Sequence, residues 1–343
     1  IKGRKNKKKG VTIMKGKKLF AGLTCAALLA APGAAMAKST DVQLIVNDAH
    51  VGSSEAEGQV YINDAGRTMI PLRLVSETLD YETNWQPDGS IQITSADGTV
   101  DVTLKIGNTA YTANGETGTF ATAPTLKNDR AYLPARDFTE LYGSIYWDND
   151  TRTVWIAQSA ETNYEVIGEK ILRADANGIQ ELALPEGFEI YNPGGTDPVV
   201  TERTIDGVHY IGLLCKPANG NYDAVFQSMV PIFRDEGASL FHVMDAYPCS
   251  FYIDEENGVG YGTAGLSAGG WNVPIADDVL YTCSINTPDS LGQMIYHKMD
   301  FAINDCTLDV TDGVLIATSP DGTVHRVENL EDYPASITAD NWD

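Results

Sequence analysis

One string occurs twice in this chain, as GRTMIPLR at residues 66–73 and as DRAYLPAR at residues 129–136. Both copies contain Arg-x-x-x-Pro-x-Arg, and a tryptophan follows twelve residues after Arg73 and eleven residues after Arg136. The two prolines, Pro71 and Pro134, lie 63 positions apart. Self-similarity at a fixed spacing is typical of a repeated structural unit. The sequence therefore predicts two copies of one module.

Each copy is followed by the same order of local patterns. Pro71 stands where proline is favoured, at the first turn of a helix. Leu72, Val75 and Leu79 then share one helical face at i, i+3 and i+7. A tryptophan, an Asp/Asn-rich turn and a second alternating run predict a β-hairpin. Each unit is thus predicted to be an α+β module whose small antiparallel sheet buries one short helix.

This arrangement over about residues 42–158 resembles the copper amine oxidase N-terminal domain, or stalk domain, of secreted Gram-positive proteins. The Pro-x-Arg and Trp positions recur twice at the proper spacing. The first copy departs from the pattern, because Met69 replaces an aromatic residue, Gln86 replaces the Asp after the tryptophan, and Asp80 stands where the second copy has Gly143. The resemblance implies a module found at cell surfaces, usually without any oxidase.

Eight residues of the repeated motif are expected to build the fold rather than a site. They are Arg67, Pro71, Arg73, Trp85, Arg130, Pro134, Arg136 and Trp147. We expect the guanidinium groups of Arg73 and Arg136 to bond backbone carbonyls or a turn carboxylate such as Asp148. Trp85 and Trp147 are expected to anchor the helix against the sheet. The alternatives are ligand-binding arginines and tryptophans that stack on carbohydrate.

The N-terminal segment reads as a leader. A basic stretch at residues 15–18, an apolar run over residues 19–35 and a small-x-small site ending at Ala37 predict a signal peptide over residues 14–37, cleaved after Ala37. Residues 1–13 are lysine-rich and are expected to be translated upstream sequence. An extended basic leader is the alternative.

Charge limits the classes of partner. The whole chain has a formal net charge of −23. Residues 1–37 hold nine Lys/Arg and no Asp/Glu, so the remaining chain has 15 cations against 47 acids, a net charge of −32. Such a charge opposes binding to nucleic acid or anionic lipid. It suits a secreted or cell-surface protein with no integral membrane segment after the leader and, at most, weakly bound Ca²⁺.

The remaining sequence predicts an acidic all-β domain over residues 161–343, after the repeated domain of residues 38–160. Short alternating runs are separated by Asn-Gly and Asp-Gly turns, which favours a propeller-like or sandwich architecture. The cysteines left in the mature chain all lie here, at Cys215, Cys249, Cys283 and Cys306. In an extracellular protein they permit two disulfides in three pairings, and buried free thiols are the alternative.

Two further motifs are interpreted as loops. Residues 221–223 read Asn-Tyr-Asp, similar to the tripeptide that forms the quinone cofactor of copper amine oxidases, but Ala218 replaces the expected Thr and the chain has no His-x-His pair. We therefore predict neither copper nor topaquinone. Residues 265–269 fit Gly-x-Ser-x-Gly around Ser267, with His325 in the order of a serine hydrolase, but no helix-forming sequence follows.

The leading hypothesis is a secreted or cell-surface, non-catalytic protein. Its stalk-type domain would act as a spacer and present a β-rich domain that binds an extracellular polymer, peptide or protein. The alternative is an extracellular hydrolase whose active site lies in the C-terminal β domain. A third hypothesis is a structural protein that self-associates through the repeated units.

Overall fold

The computed structural model describes residues 42–51, 58–158, 162–191, 199–217, 230–246, 250–263, 278–286, 294–333 and 335–337. This part of the chain is mostly β, with few helices and several small sheets. It divides into two compact units, and the main segment of the first ends at Asn163. The first unit also contains Ala174–Ile179, and the second contains Tyr164–Arg173 and the chain from Gln180 onward. Within the described residues, no helix has the length and apolar character needed to cross a bilayer. The predicted signal peptide, residues 14–37, and the upstream residues 1–13 lie outside them.

The strands of the first unit are short. In chain order they are β1 (Gln43–Val46), β2 (Ala49–Val51), β3 (Tyr61–Ile62), β4 (Thr68–Pro71), β5 (Tyr81–Trp85), β6 (Ser90–Ser95), β7 (Asp101–Lys105), β8 (Ala110–Ala113), β9 (Glu116–Thr119), β10 (Thr125–Lys127), β11 (Arg130–Pro134), β12 (Ser144–Asp148) and β13 (Thr153–Ala157). Helix α1 (Leu72–Thr78) follows β4. A 3-10 turn (Ala135–Phe138) and helix α2 (Thr139–Tyr142) follow β11. Each string thus forms a strand, and the short helical segment and the hairpin predicted after it follow in both copies.

The sheets are shared between the two copies. Strands β4 and β11, which carry the two strings, pair antiparallel with Leu133 opposite Ile70. The β5–β6 hairpin continues into β7, β8 and β9, and the β12–β13 hairpin is extended by β1 and β2. Strand β1 pairs with β13 in parallel. The small antiparallel sheets predicted for the two copies thus share strands, and the pairing of β1 with β13 departs from the prediction because it is parallel.

One apolar core fills the first unit. The face of α1 that bears Leu72 and Val75 packs in the same cluster as Phe138 and Ile156 from the second copy. Burial of such side chains contributes about 1.5–3 kcal/mol each. A hydrogen bond also joins the two helical segments, because Ser76 Oγ lies 2.7 Å from the Tyr142 hydroxyl and both groups are buried. Each copy therefore depends on the other for its core.

From Asn163 onward the described chain is mostly strand. The strands are β14 (Asn163–Ile167), β15 (Lys170–Asp175), β16 (Gly178–Leu182), β17 (Phe188–Ile190), β18 (Val199–Ile205), β19 (Val208–Leu213), β20 (Cys215–Pro217), β21 (Val230–Asp235), β22 (Leu240–Ala246), β23 (Phe251–Asp254), β24 (Val259–Thr263), β25 (Val279–Ser284), β26 (Ile295–Lys298), β27 (Thr307–Thr311), β28 (Val314–Thr318), β29 (Val324–Val327) and β30 (Ala335–Ile337). A 3-10 turn spans Leu330–Asp332.

These strands form small sheets whose members are mostly consecutive in sequence. The sheet orders are β18-β19-β21-β22, β23-β24-β25-β26-β30, β27-β28-β29, β14-β15-β16 and β17-β20. Arg203 on β18 connects three of these sheets, because its guanidinium donates to the carbonyls of Phe251 on β23 and Leu308 on β27. Apolar side chains of the second unit form two clusters, one of which contains Tyr281 and the other Phe233.

Candidate functional site

The two prolines of the repeated string end strands. Pro71 is the last residue of β4 and the N-cap of α1, with φ −64° and ψ 120°. Pro134 ends β11 and caps the following 3-10 turn with φ −59° and ψ 141°. Each proline therefore precedes its helical segment in an extended conformation, rather than lying within the first turn. Both are buried, which agrees with a structural role.

The arginines of the string lie at the surface of the first unit. Arg73 is exposed and reaches toward the Thr83 carbonyl at 3.5 Å and toward Glu77 at 3.8 Å. Arg130 donates to the Asn128 carbonyl at 3.3 Å. Arg136 is exposed, and no side-chain partner for it lies among the described residues. The expected carbonyl contact is thus present for Arg73, and no such contact is described for Arg136.

The Asp148 carboxylate accepts hydrogen bonds from residues of its own turn. Its Oδ1 atom accepts bonds from the backbone N–H groups of Asp150 and Thr151, at 3.0 and 2.8 Å, and from the Thr151 hydroxyl at 3.0 Å. Such a carboxylate fixes the β12–β13 turn. The described hydrogen bonds of Asp148 thus come from its own turn, and the expected fork between Arg136 and Asp148 stays a prediction. The Arg136 guanidinium is exposed to solvent.

The two tryptophans of the motif are not packing anchors. Trp85 is 46% exposed and Trp147 is 38% exposed. Both lie on edge strands, β5 and β12, at the end of the strand that leads into the hairpin turn. The tryptophan that does anchor the core region is Trp155, which is 0% exposed and donates from Nε1 to the Asn47 carbonyl at 2.7 Å. The packing prediction is wrong because a residue at the tip of an edge strand has no neighbouring strand on one side.

The described cysteines are free thiols. Cys283 and Cys306 are buried and Cys215 is half-buried, and none of the three forms a disulfide. Burial raises the pKa of Cys215 and of Cys283 to about 12, so both remain protonated and unreactive at neutral pH. Cys249 lies outside the described residues. Two disulfides among the four cysteines are therefore not formed, and the alternative of buried thiols fits these three.

The motifs at residues 221–223 and around Ser267 also lie outside the described residues. His325 contacts a different serine, because its Nε2 atom lies 3.4 Å from Ser319 Oγ, which lies 3.4 Å from Cys306 Sγ. The His325 ring stacks on Phe301, with centroids 3.9 Å apart and planes within 2° of parallel. Within the described chain, no group of three or more His, Cys, Asp or Glu side chains is arranged to hold a metal ion.

Phe301 also lines the cleft that we identify as the candidate site. This open depression in the second unit has a volume of about 410 Å³, and its lining residues are Asp278, Met299, Asp300, Phe301 and Ala302. They meet because the Met299 N–H donates to the Asp278 carbonyl at 2.7 Å, which joins the start of β25 to the end of β26. The cleft thus places two carboxylates beside an aromatic ring.

Among the described residues, the carboxylates of the cleft have only distant partners. Asp278 Oδ2 lies 3.8 Å from Lys298 Nζ, and the Tyr333 hydroxyl donates to Asp300 Oδ1 at 3.4 Å. Asp300 is exposed. Contacts of this length at a surface contribute little, so both carboxylates can exchange their partner for a ligand.

Asp235, a carboxylate elsewhere in the second unit, has much closer partners than the carboxylates of the cleft. Asp235 accepts bonds from Arg173 at 2.9–3.0 Å, from the Tyr164 hydroxyl at 2.6 Å and from the Gly237 N–H at 2.7 Å. Although burial opposes ionisation, these bonds hold the pKa of Asp235 below its usual value. Asp235 thus has close partners within the fold. Sequence reasoning missed the cleft, because no spacing or motif links position 278 to positions 299–302.

Residues 45–156 match the family model of the copper amine oxidase N-terminal domain. This part of the chain is a copper amine oxidase N-terminal domain. The C-terminal half matches no family model. The domain contains the two repeated strings, the shared core and both exposed tryptophans. The family description assigns no activity to this chain.

Comparison with the curated proteins gives no match. Among solved structures, the chain is similar to a protein described as a putative 6-phosphogluconolactonase from Bacteroides fragilis, at 12% identity and a TM-score of 0.24, over 78% of this chain and 85% of that chain. A protein with the same description from Bacteroides uniformis gives 12% identity and a TM-score of 0.24, over 75% and 82%. Likenesses at this TM-score carry no argument about fold or activity.

Proposed function

We propose that the chain is a secreted or cell-surface, non-catalytic binding protein. Its copper amine oxidase N-terminal domain acts as a spacer, and its β-rich half binds an extracellular ligand at the cleft of Asp278, Asp300 and Phe301. The proposal includes the signal peptide over residues 14–37, with cleavage after Ala37. The single observation that carries it is the cleft itself, in which two loosely held carboxylates flank an aromatic ring.

The chemistry of the cleft favours a cationic group. Carboxylates bind ammonium and guanidinium groups through charge-assisted hydrogen bonds, and an aromatic ring packs against the aliphatic stem of lysine or arginine. Met299 adds an apolar floor, since it is buried and lines the same cleft. The strongly acidic chain attracts such ligands over longer distances. Of the predicted partner classes, a peptide or protein with exposed basic residues fits best.

A binding experiment tests this proposal. Calorimetry with a blocked tetralysine peptide at physiological salt compares the secreted protein with the Asp278→Asn/Asp300→Asn variant. We expect that variant to lose at least about tenfold in affinity, since charge-assisted bonds contribute about 1.5–3 kcal/mol. The matched control is Asp64→Asn/Glu116→Gln, which removes two exposed charges from the first unit and is expected to bind nearly as wild type. Equal losses in both variants, or no binding by the wild type, would contradict the proposal.

We also propose a propeller-like arrangement for the second unit. Three of its sheets are built from antiparallel strands that are largely consecutive in the chain, which is how propeller blades are made. Arg203, which bonds carbonyls on two other sheets, suits a ring of adjacent blades. An experimental structure in which these sheets stack face to face as a sandwich would rule this arrangement out.

A hydrolase remains the second candidate, because Asp278 and Asp300 share one cleft. Glycoside hydrolysis uses two carboxyl groups, one protonated and one ionised, on either side of the scissile bond. Release of reducing ends from extracellular polysaccharides by the wild type, abolished in Asp300→Asn, would favour this candidate over the binding protein.

A further inference from the structure

His325 lies directly against the aromatic ring of the candidate cleft, and the proposed function gives it no role. Its imidazole stacks on Phe301, with centroids 3.9 Å apart and planes within 2° of parallel. Phe301 lines the cleft. One face of the Phe301 ring is therefore covered by His325, and the rest of the ring is what the cleft can offer to a ligand. A change in the charge of the imidazole acts on the cleft across a single aromatic ring.

The position of His325 is set by its strand, but its charge is not. Its pairing partner on β28, Ala317, is fully buried, and so is Val327, two residues further along β29. The imidazole therefore lies on the core side of this sheet. Its Nε2 atom lies 3.4 Å from Ser319 Oγ. Because a hydroxyl can either donate or accept, this contact suits the neutral imidazole and the protonated one equally.

The carboxylates near His325 come from two elements. Asp321, in the turn before β29, interacts electrostatically with the imidazole. Hydrogen bonds from Thr323 lower the pKa of Asp321, so this carboxylate keeps its negative charge at mildly acidic pH. Asp300 adjoins Phe301, on which the imidazole stacks. Negative charge favours the protonated form of a histidine, the side chain that ordinarily changes charge between pH 5 and 8.

Two further ionisable groups lie close to His325. Arg326 follows it on β29 and pairs with Glu328 at 3.1 Å, and both of these side chains are exposed. Cys306 contacts the Ser319 hydroxyl at 3.4 Å and is a buried free thiol. Neither the ion pair nor the thiol gains a positive charge in mild acid, so a charge change at this end of the cleft is assigned to the imidazole.

His297, on β26, is a second histidine near the cleft, two residues before Met299. Its Nδ1 atom lies 2.9 Å from the Tyr333 carbonyl, and its Nε2 atom lies 3.4 Å from the Thr282 hydroxyl. A carbonyl only accepts hydrogen bonds, so the geometry assigns the proton of a neutral imidazole to Nδ1 and leaves Nε2 as an acceptor. Both nitrogens of His297 thus have partners within the fold, and its described ring contacts do not include Phe301.

We propose that His325 is a pH-sensitive positioning residue of the cleft, which weakens the binding of a cationic ligand when it is protonated. The neutral imidazole holds the Phe301 ring in place. The imidazolium adds a positive charge on one side of that ring and opposes a cationic group on the other side. Affinity for the ligand is therefore highest above the range in which His325 takes up a proton and falls as the pH falls through it. This inference rests on the proposed binding function and adds its regulation.

Calorimetry of the full secreted chain with the blocked tetralysine peptide, at pH 7.5 and at pH 5.5 in the same salt, tests this inference. Lysine keeps its charge across this range. We expect the wild type to bind about fivefold more weakly at pH 5.5, which corresponds to about 1 kcal/mol from a like charge near the site. His325→Phe keeps a ring against Phe301 but cannot take up a proton. It should bind as the wild type does at pH 7.5 and keep that affinity at pH 5.5.

Two other variants at this position separate charge from packing. His325→Ala removes the ring and should weaken binding by about threefold or more at both pH values, since an aromatic pair contributes about 0.5–1.5 kcal/mol. His325→Gln carries no charge at either pH, and its affinity should not depend on pH. This variant keeps the test valid if His325→Phe does not fold.

His209→Phe is the matched control. His209 is also a half-buried histidine of the second unit, with a hydroxyl partner, Thr204 Oγ1, 3.1 Å from Nδ1 and the Tyr164 ring 6.3 Å away. This variant should keep the wild-type loss of affinity at pH 5.5. The inference alone is overturned if the wild type binds equally at both pH values, if His325→Phe and His325→Gln keep the wild-type pH dependence, or if the control loses it. Absence of binding by the wild type at both pH values would contradict the proposed function as well.

Discussion

The two copies of the repeated string have similar backbone conformations but differ in which strand faces are buried. In the first copy, the β5–β6 hairpin carries Gln92 on a solvated face. In the second copy, the corresponding position is Trp155, and all five residues of β13 are buried. Strand β6 is therefore partly exposed to solvent on one face, whereas strand β13 is buried on both faces. Because Pro71 and Pro134 have similar conformations, the string sets the backbone, whereas single residues between the motif positions decide which faces become buried.

The tryptophans of this domain show that a recurring residue need not be buried. Trp85 and Trp147 recur, yet they contribute their exposed faces rather than a core, and the residue that packs, Trp155, has no tryptophan counterpart in the first copy. Recurrence within a chain thus marks a shared position in the fold, and burial has to be established separately for each residue.

The largest expected effect comes from removing the side chain that distinguishes the second copy. Trp155→Ala should destabilise the protein by about 3–5 kcal/mol, because it empties a fully buried site and leaves the Asn47 carbonyl unpaired. The matched change in the first copy, Gln92→Ala, should stay within about 0.5 kcal/mol. Urea unfolding followed by circular dichroism measures both. A similar loss of unfolding free energy in the two variants would contradict this difference between the copies.

The bond between the two helical segments gives the next effect. Ser76→Ala removes the partner of the buried Tyr142 hydroxyl and should cost about 1–3 kcal/mol. Tyr142→Phe should cost less, because the Ser76 hydroxyl keeps its 2.8 Å bond to the Leu72 carbonyl. The same unfolding experiment ranks the two variants. The reverse order would mean that the copies do not depend on this bond.

The residues that end the helical segments differ in backbone conformation. Gly143 has φ 132° and ψ −135°, a region that only glycine adopts without strain, and Gly143→Ala should cost about 1–3 kcal/mol. Asp80 has φ 62°, within the left-handed region that other residues can enter, so Asp80→Ala should cost less than about 1 kcal/mol. Thermal unfolding of the two variants gives the comparison, and a larger loss at position 80 would contradict it.

The smallest effect concerns acid pH. Hydrogen bonds from Ser95 and Thr99 lower the pKa of Asp97 to about 2, so its stabilising contribution is complete above the usual aspartate pKa and is lost as the pH falls toward 2. Burial raises the pKa of Asp137, so protonation of that carboxyl relieves a penalty as the pH falls. Carbon-13 NMR of the two carboxyl groups should show Asp97 titrating at much lower pH than Asp137. Equal titration midpoints would show that their environments do not differ.

Local spacing was enough to predict the helical segment and the hairpin that follow Pro71 and Pro134. It was not enough to predict the parallel pairing of β1 with β13, because the pairing joins residues far apart in sequence. The exposure of Trp147 and the burial of Trp155 depend on that pairing, which places β12 at the edge of the sheet. The cleft was missed for the same reason, since Asp278 and Asp300 meet only through pairing of β25 with β26.

The central claim is that the repeated string exposes two tryptophans and that Trp155 alone among the three tryptophans of the N-terminal domain is buried. Hydroxyl-radical footprinting of the folded protein, read by mass spectrometry, tests this residue by residue. We predict rapid oxidation of Trp85 and Trp147, and protection of Trp155 until the domain unfolds. Protection of Trp85 and Trp147 to the level of Trp155 would contradict the account and show that both side chains are buried.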